Sequence, residues 1–160
     1  MPLTVAIIAQ GAMGSGVAAR LTENKVTVLT SLTGRSEQSA ARAKAAGMTA
    51  VADAQLMEAD FLLSIVPPGD APALAQRLSG VLTAANRKPV YVDCNAVSPR
   101  TTRSIAEVVA ATGCPFVGAA IIAPPPKPGT GNTKFYASGP AAAQFARLND
   151  YGLIVRVVDG

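Results

Sequence analysis

The stretch LTVAIIAQGAMGSGVAARL, Leu3 to Leu21, restricts the possible folds of this chain more than any other. It begins with a short apolar, β-branched run, passes through a glycine-rich turn, and continues in small helix formers. That order predicts strand, turn and helix. The spacing Ala9-x-Gly11-x-x-Gly14 is a dinucleotide fingerprint with alanine in place of the first glycine, and Gly16 adds a further small residue on the first helical turn. Each glycine has a physical task. Gly11 would let the backbone approach a pyrophosphate, Gly14 would let the helix lie close on the strand, and the helix N-terminus would present unpaired N–H groups to the anion. A glycine turn can also be a plain strand-to-helix connection, so the motif draws its weight from the strand before it and the helix after it.

The rest of the chain repeats this alternation. Strands are predicted at Val26 to Thr30, Met48 to Val51, Phe61 to Val66, Val90 to Asp93, Phe116 to Ile122, Lys134 to Ala137 and Ile154 to Val157. Between them, helices are predicted from Glu37 to Ala46 with Gly47 as stop signal, Asp53 to Glu58, Asp70 to Ala84 with Asp70 as cap, Ser98 to Ala111, and Pro140 to Asn149. Ser98 followed by Pro99 is a helix start, with serine at the N-cap and proline at the first helical position. A proline-rich loop, Ala123 to Asn132, separates two of the strands. Strands alternating with helices specify a doubly wound, mostly parallel α/β sheet of Rossmann type. At 160 residues this is one domain, 1–160.

Composition narrows the partners. Apolar residues are 49% and charged residues 15% of the chain, which excludes disorder and suits a sheet buried on both faces. The net charge of +4 comes without a basic run and with few aromatics, so a small anionic molecule is favoured over nucleic acid. With no histidine, and with Cys94 and Cys114 far apart and flanked by apolar residues, metal sites are not expected. The two cysteines are expected to be buried thiols of a cytoplasmic protein. The uncharged stretches Met1 to Ala19 and Val108 to Pro126 are broken by Gly11, Gly113 and Pro115, so neither is read as a signal peptide or a membrane span.

An NAD-preferring fold of this type places an acid about 20 residues after the glycine turn, where it holds the ribose hydroxyls. From Lys25 to Ser36 there is no acid. Ser31, Thr33, Arg35 and Ser36 stand there instead, offering hydroxyls and a guanidinium to a 2′-phosphate, which points to NADP. The same residues would serve an ordinary loop, with Ser36 capping the next helix.

Taken together, Gly11-Ala12-Met13-Gly14, the Gly34-Arg35-Ser36 loop, Leu63-Ser64-Ile65-Val66-Pro67-Pro68 and Asp93-Cys94-Asn95-Ala96-Val97-Ser98-Pro99 resemble the NADP-binding domain of the 6-phosphogluconate and β-hydroxyacid dehydrogenase superfamily. The resemblance implies that the backbone of Ala12 and Met13 faces the pyrophosphate. It also implies that Val66 and Pro67 line the nicotinamide side, and that Asn95 and Ser98 lie near the nicotinamide and the substrate. Asn95 could equally be a turn residue, and Pro67-Pro68 a strand terminator.

The chain departs from the family pattern in three places. Ala9 replaces the first glycine. A proline-rich segment from Ile122 to Gly129 stands where β-hydroxyacid dehydrogenases carry a polar Ser-Gly-Gly substrate loop, which places the chain with a proline-rich-loop subgroup. The family's catalytic lysine lies on a helix after the nucleotide domain, and no lysine follows Lys134. The expectation is therefore the cofactor-binding domain of an NADP-dependent oxidoreductase acting on a small-molecule substrate, without the family's helical catalytic domain and forming a homo-oligomer. Its catalytic residues are unassigned. The alternatives are a stand-alone NADP(H)-binding module without turnover and, less favoured, a methyltransferase.

Overall fold

A computed structural model describes residues 3–9, 12–31, 37–95, 97–122 and 133–158, with the backbone alone for residues 12 and 39. These residues form an eight-stranded sheet in the order β3-β2-β1-β4-β5-β6-β7-β8. Its strands are β1 (Thr4–Ala9), β2 (Thr27–Thr30), β3 (Thr49–Ala50), β4 (Phe61–Ile65), β5 (Val90–Asp93), β6 (Phe116–Ile122), β7 (Lys134–Ser138) and β8 (Ile154–Val157). All neighbours are parallel except β6 and β7, which run antiparallel with Gly118 opposite Ser138. The helices are α1 (Ala12–Glu23), α2 (Glu37–Ala45), α3 (Ala71–Ala84), α4 (Pro99–Ala111) and α5 (Ala142–Phe145). The expected single α/β domain of Rossmann type is observed.

Alternation along the strands builds two cores. Val5, Ile7 and Ala9 of β1 pack with Val17, Ala18 and Leu21 of α1, and Phe61, Leu63, Val90, Val92 and Phe145 join the same cluster. Ala6 and Ile8 point the other way, into Leu74, Leu78 and Leu82 of α3 and Ile105 and Val109 of α4. A period of two on a sheet covered on both faces leaves almost no exposed strand residue in β1, β4 and β5, which explains their near-continuous apolar sequence. Cys94 and Cys114 are both buried and free.

Most predicted elements agree with the structure to within a residue, and the exceptions have local causes. Asp70 does not cap α3. Pro68–Asp70 form a 3-10 turn, which holds Asp70 at φ −94° and ψ −12°, and its side chain makes no capping bond. A cap needs extended backbone at that position to reach the next free amides. The predicted helix from Pro140 to Asn149 is also divided. It consists of α5 and a 3-10 segment, Ala146–Tyr151, that ends at Gly152 with φ +94°. There the Asn149 amide pairs with both the N–H and the C=O of Val155, at 2.7 and 3.0 Å, and so ties the segment to β8. Gly47 ends α2 at φ +84°, a left-handed position that suits glycine.

Among the described residues no helix is long and apolar enough to cross a membrane. None of their His, Cys, Asp and Glu side chains gather in threes that could hold a metal ion. Gly11, Thr33, Arg35 and Ser36, together with the proline-rich loop at 123–132, lie outside the described residues.

Candidate cofactor crevice at the strand switch point

The strand order reverses between β1 and β4. The helix after β1 packs on one face of the sheet and the helix after β4 on the other, so their beginnings diverge and leave a crevice at the carboxyl edge. The predicted site residues described here fall along that edge. Met13 and Gly14 follow β1, Ser31 follows β2, Val66 and Pro67 follow β4, and Asn95 and Ser98 follow β5.

Contact between Ala9 and Gly14 sets how close α1 lies to β1. A Cβ built on Gly14 would stand 2.0 Å from the Ala9 Cβ and 3.4 Å from its Cα. Side-chain carbons in contact sit about 3.5–4.0 Å apart, so no residue larger than glycine fits at position 14 while Ala9 keeps its methyl. The alanine in the first fingerprint position thus fills space that Gly14 leaves open. The first amides of α1 have no acceptor within the helix, so the start of α1 has N–H groups to offer an anion. Met13 is half-buried against the α1 core.

At the end of β2 the Thr30 hydroxyl donates to the Ile7 carbonyl at 2.6 Å, which ties β2 to β1, and Ser31 is 1% exposed. No carboxylate lies between Lys25 and Ser31.

Asn95 joins the ends of β4 and β5. Its Oδ1 accepts from the Val66 N–H at 2.8 Å, and its Nδ2 donates to Ser64 Oγ at 2.9 Å. Its own N–H donates to Asp93 Oδ1 at 2.9 Å. The side chain therefore fixes the path of the chain at Val66 and Pro67, the former half-buried and the latter exposed. Asn95→Ala removes the partner of the Val66 N–H, and a loss of about 1–2 kcal/mol is expected in urea unfolding with an unchanged m-value. Equal stability for wild type and Asn95→Ala would contradict this bridging role. Ser98 is the N-cap of α4, its hydroxyl accepting from the Thr101 N–H at 3.2 Å.

Sequence reasoning gave little weight to the polar residues behind this edge. Asp93 is 2% exposed, and its Oδ2 has no hydrogen-bond partner. Burial raises its carboxyl pKa above the ordinary value, while the Asn95 N–H draws it down. Tyr91, two residues earlier on the same face, is fully buried, and its hydroxyl also has no partner. Its phenol is pushed well up, first by burial and then by the Asp93 charge. The available signal was an acid ending the apolar run Val90-Tyr91-Val92-Asp93.

Comparison with known proteins agrees with this architecture. Over 90 residues, 56% of this chain and 30% of the relative, the sequence is 31% identical to a 3-hydroxyisobutyrate dehydrogenase of Pseudomonas aeruginosa. A solved protein of unknown function, described as structurally similar to 3-hydroxyacid dehydrogenases, superposes with a TM-score of 0.85 at 32% identity, over 98% of this chain and 57% of that one. An imine reductase of Streptomyces aurantiacus gives 0.75 at 25% identity, over 98% of this chain and 55% of the other. The chain thus spans under a third of the curated relative and little over half of these solved chains. Residues 4–150 match the family model of the NAD binding domain of 6-phosphogluconate dehydrogenase. With that match over nearly its whole length, the chain belongs to the family of 6-phosphogluconate dehydrogenase NAD-binding domains.

Proposed function

We propose that this chain is the cofactor domain of an NADP-dependent oxidoreductase and that a helical second domain completes its reaction cleft. The observation that carries the reading is the Ala9–Gly14 contact, 2.0 Å for a Cβ built on Gly14, which seats the start of α1 on the switch-point crevice. The residues present fit a nicotinamide dinucleotide. The backbone of Gly11, Ala12 and Met13 would hold the pyrophosphate at the positive end of α1. Val66 and Pro67, held in place by Asn95, would bound the nicotinamide side.

The preference for NADP rests on the region after β2. No acid stands there to hold a ribose 2′-hydroxyl, Thr30 and Ser31 are buried, and Thr33, Arg35 and Ser36 would take the 2′-phosphate. Bound in the crevice, the dinucleotide would supply hydride chemistry to a small-molecule substrate. The chain's part is to orient it and to shape the field around it.

Reduction of a C–O or C–N centre also needs a proton in step. Asn95 and Ser98 have no ionisation near neutrality, and Tyr91 is buried with its pKa raised. By the family resemblance, we assign the proton to a lysine on the second domain. The half-exposed apolar residues Ile122, Val157 and Val158, at 54%, 54% and 41%, would pack against that domain or a second copy.

Turnover tests this division of labour. The 160-residue chain is expected to bind NADPH saturably and to show no oxidation of NADPH with aldehydes, ketoacids or imines. Clear turnover by these residues alone would contradict it.

A further inference from the structure

The sheet ends in two free edges, β3 and β8. A free edge offers its N–H and C=O groups to any passing strand, and a very short edge strand is one defence against that. β3 has this defence, being only Thr49 and Ala50. β8 lacks it. It is paired with β7 from Ile154 to Val157, and Val157 and Val158 at its end are 54% and 41% exposed. The Val158 N–H donates to the Ala137 carbonyl at 2.8 Å. By alternation Ile154 and Arg156 also turn toward β7, while Val155 and Val157 turn their N–H and C=O outward.

Val155 is paired all the same. The Asn149 side-chain amide accepts from its N–H at 2.7 Å and donates to its C=O at 3.0 Å. Those are the two bonds that a residue of an antiparallel neighbour would exchange with Val155. Asn149 is itself exposed, and its place is set by the backbone around it. The Leu153 N–H donates to the Leu148 carbonyl at 3.2 Å, Gly152 turns the chain at φ +94°, and Arg20 Nε donates to the Gly152 carbonyl at 2.9 Å. The amide is thus presented to β8 by a turn fastened to α1.

We propose that Asn149 guards the edge of β8, its amide occupying the position that a strand of a second copy of this chain would take. Among the described residues, only Val157 is then left to pair outward, and strands in folded proteins usually need about three residues or more. The second copy is the competitor because it brings the same apolar segment, Ile154-Val155-Arg156-Val157-Val158, at the protein's own concentration. This role does not depend on the oxidoreductase reading, since β8 stands at the end of the sheet and the crevice near its middle.

Amide hydrogen exchange and light scattering on the full chain test this. In the wild type the Val155 N–H is expected to exchange slowly and the Val157 N–H fast, although both point away from β7. Fast exchange at both would overturn the proposal without any variant. Asn149→Ala should speed exchange at Val155 by about tenfold or more in dilute solution. As its concentration rises, its mass should climb from the wild-type value toward twice that value, with Val155 and Val157 becoming protected together. Val157→Pro takes away the outward N–H that a partner needs and leaves the bonds to β7 in place, so Asn149→Ala/Val157→Pro should return to the wild-type mass. An Asn149→Ala mass that follows the wild type at every concentration would mean that Asn149 only fastens the turn. Association undiminished by Val157→Pro would mean loosened packing rather than an opened edge. Either result would overturn the assignment.

Discussion

Gly14→Ala is expected to destabilise the protein by about 2–3 kcal/mol, although the same change at an ordinary helical position gains up to about 1 kcal/mol. The sign is set by one contact. The new Cβ would arrive 2.0 Å from the Ala9 Cβ, and Ala9 is part of the buried core, so α1 must move off the sheet. For a domain of this size the melting temperature should fall on the order of 5–10 °C. The clashing atom is itself a side-chain methyl, which allows a clean double-mutant cycle. Ala9→Gly removes it and restores the glycine of the fingerprint, so Ala9→Gly/Gly14→Ala should recover at least half of the loss. Additive costs for the two substitutions would show that Ala9 does not set the α1–β1 distance.

That pair also shows what was legible in the sequence. The spacing of Ala9, Gly11 and Gly14 announced a strand, a turn and a helix, and the role of Gly14 in close packing followed from the fingerprint. That the missing first glycine is what makes Gly14 obligatory needed the geometry. The strands Val90–Asp93 and Phe116–Ile122 were read to the residue because their apolar character is local and each begins directly after a proline, Pro89 and Pro115. Ser98-Pro99 marked the start of α4 for the same reason, since an N-cap and its proline act within one turn. Asp70 misled because the Pro68 turn before it changes the backbone angle that a cap requires.

The polar network of Ser64, Asn95, Val66 and Asp93 could not be read from sequence. It joins residues 29 and 31 positions apart, and exists only because β4 and β5 are neighbours. Such a network leaves no periodic trace along the chain.

Cofactor choice is the other large effect expected, and it depends on Arg35. The residues from Lys25 to Ser36 include no acid, and Arg35 is the only full charge after Lys25 in that segment. A guanidinium matches a phosphate with paired donors and gains nothing comparable from a ribose hydroxyl. A hydrogen bond to a charged group is worth about 1.5–3 kcal/mol, so NADPH should bind roughly 10- to 100-fold more tightly than NADH. Arg35→Ala should remove most of that difference, weakening NADPH by the same factor while leaving NADH nearly unchanged. The direct measurement is a set of parallel binding titrations of wild type and Arg35→Ala with NADPH, NADH and S-adenosylmethionine. The account predicts saturable binding of both nicotinamide dinucleotides, a preference for NADPH that disappears in the variant, and no saturation with S-adenosylmethionine. Equal losses for NADPH and NADH in Arg35→Ala, or saturation by S-adenosylmethionine with none by NADPH, would contradict it.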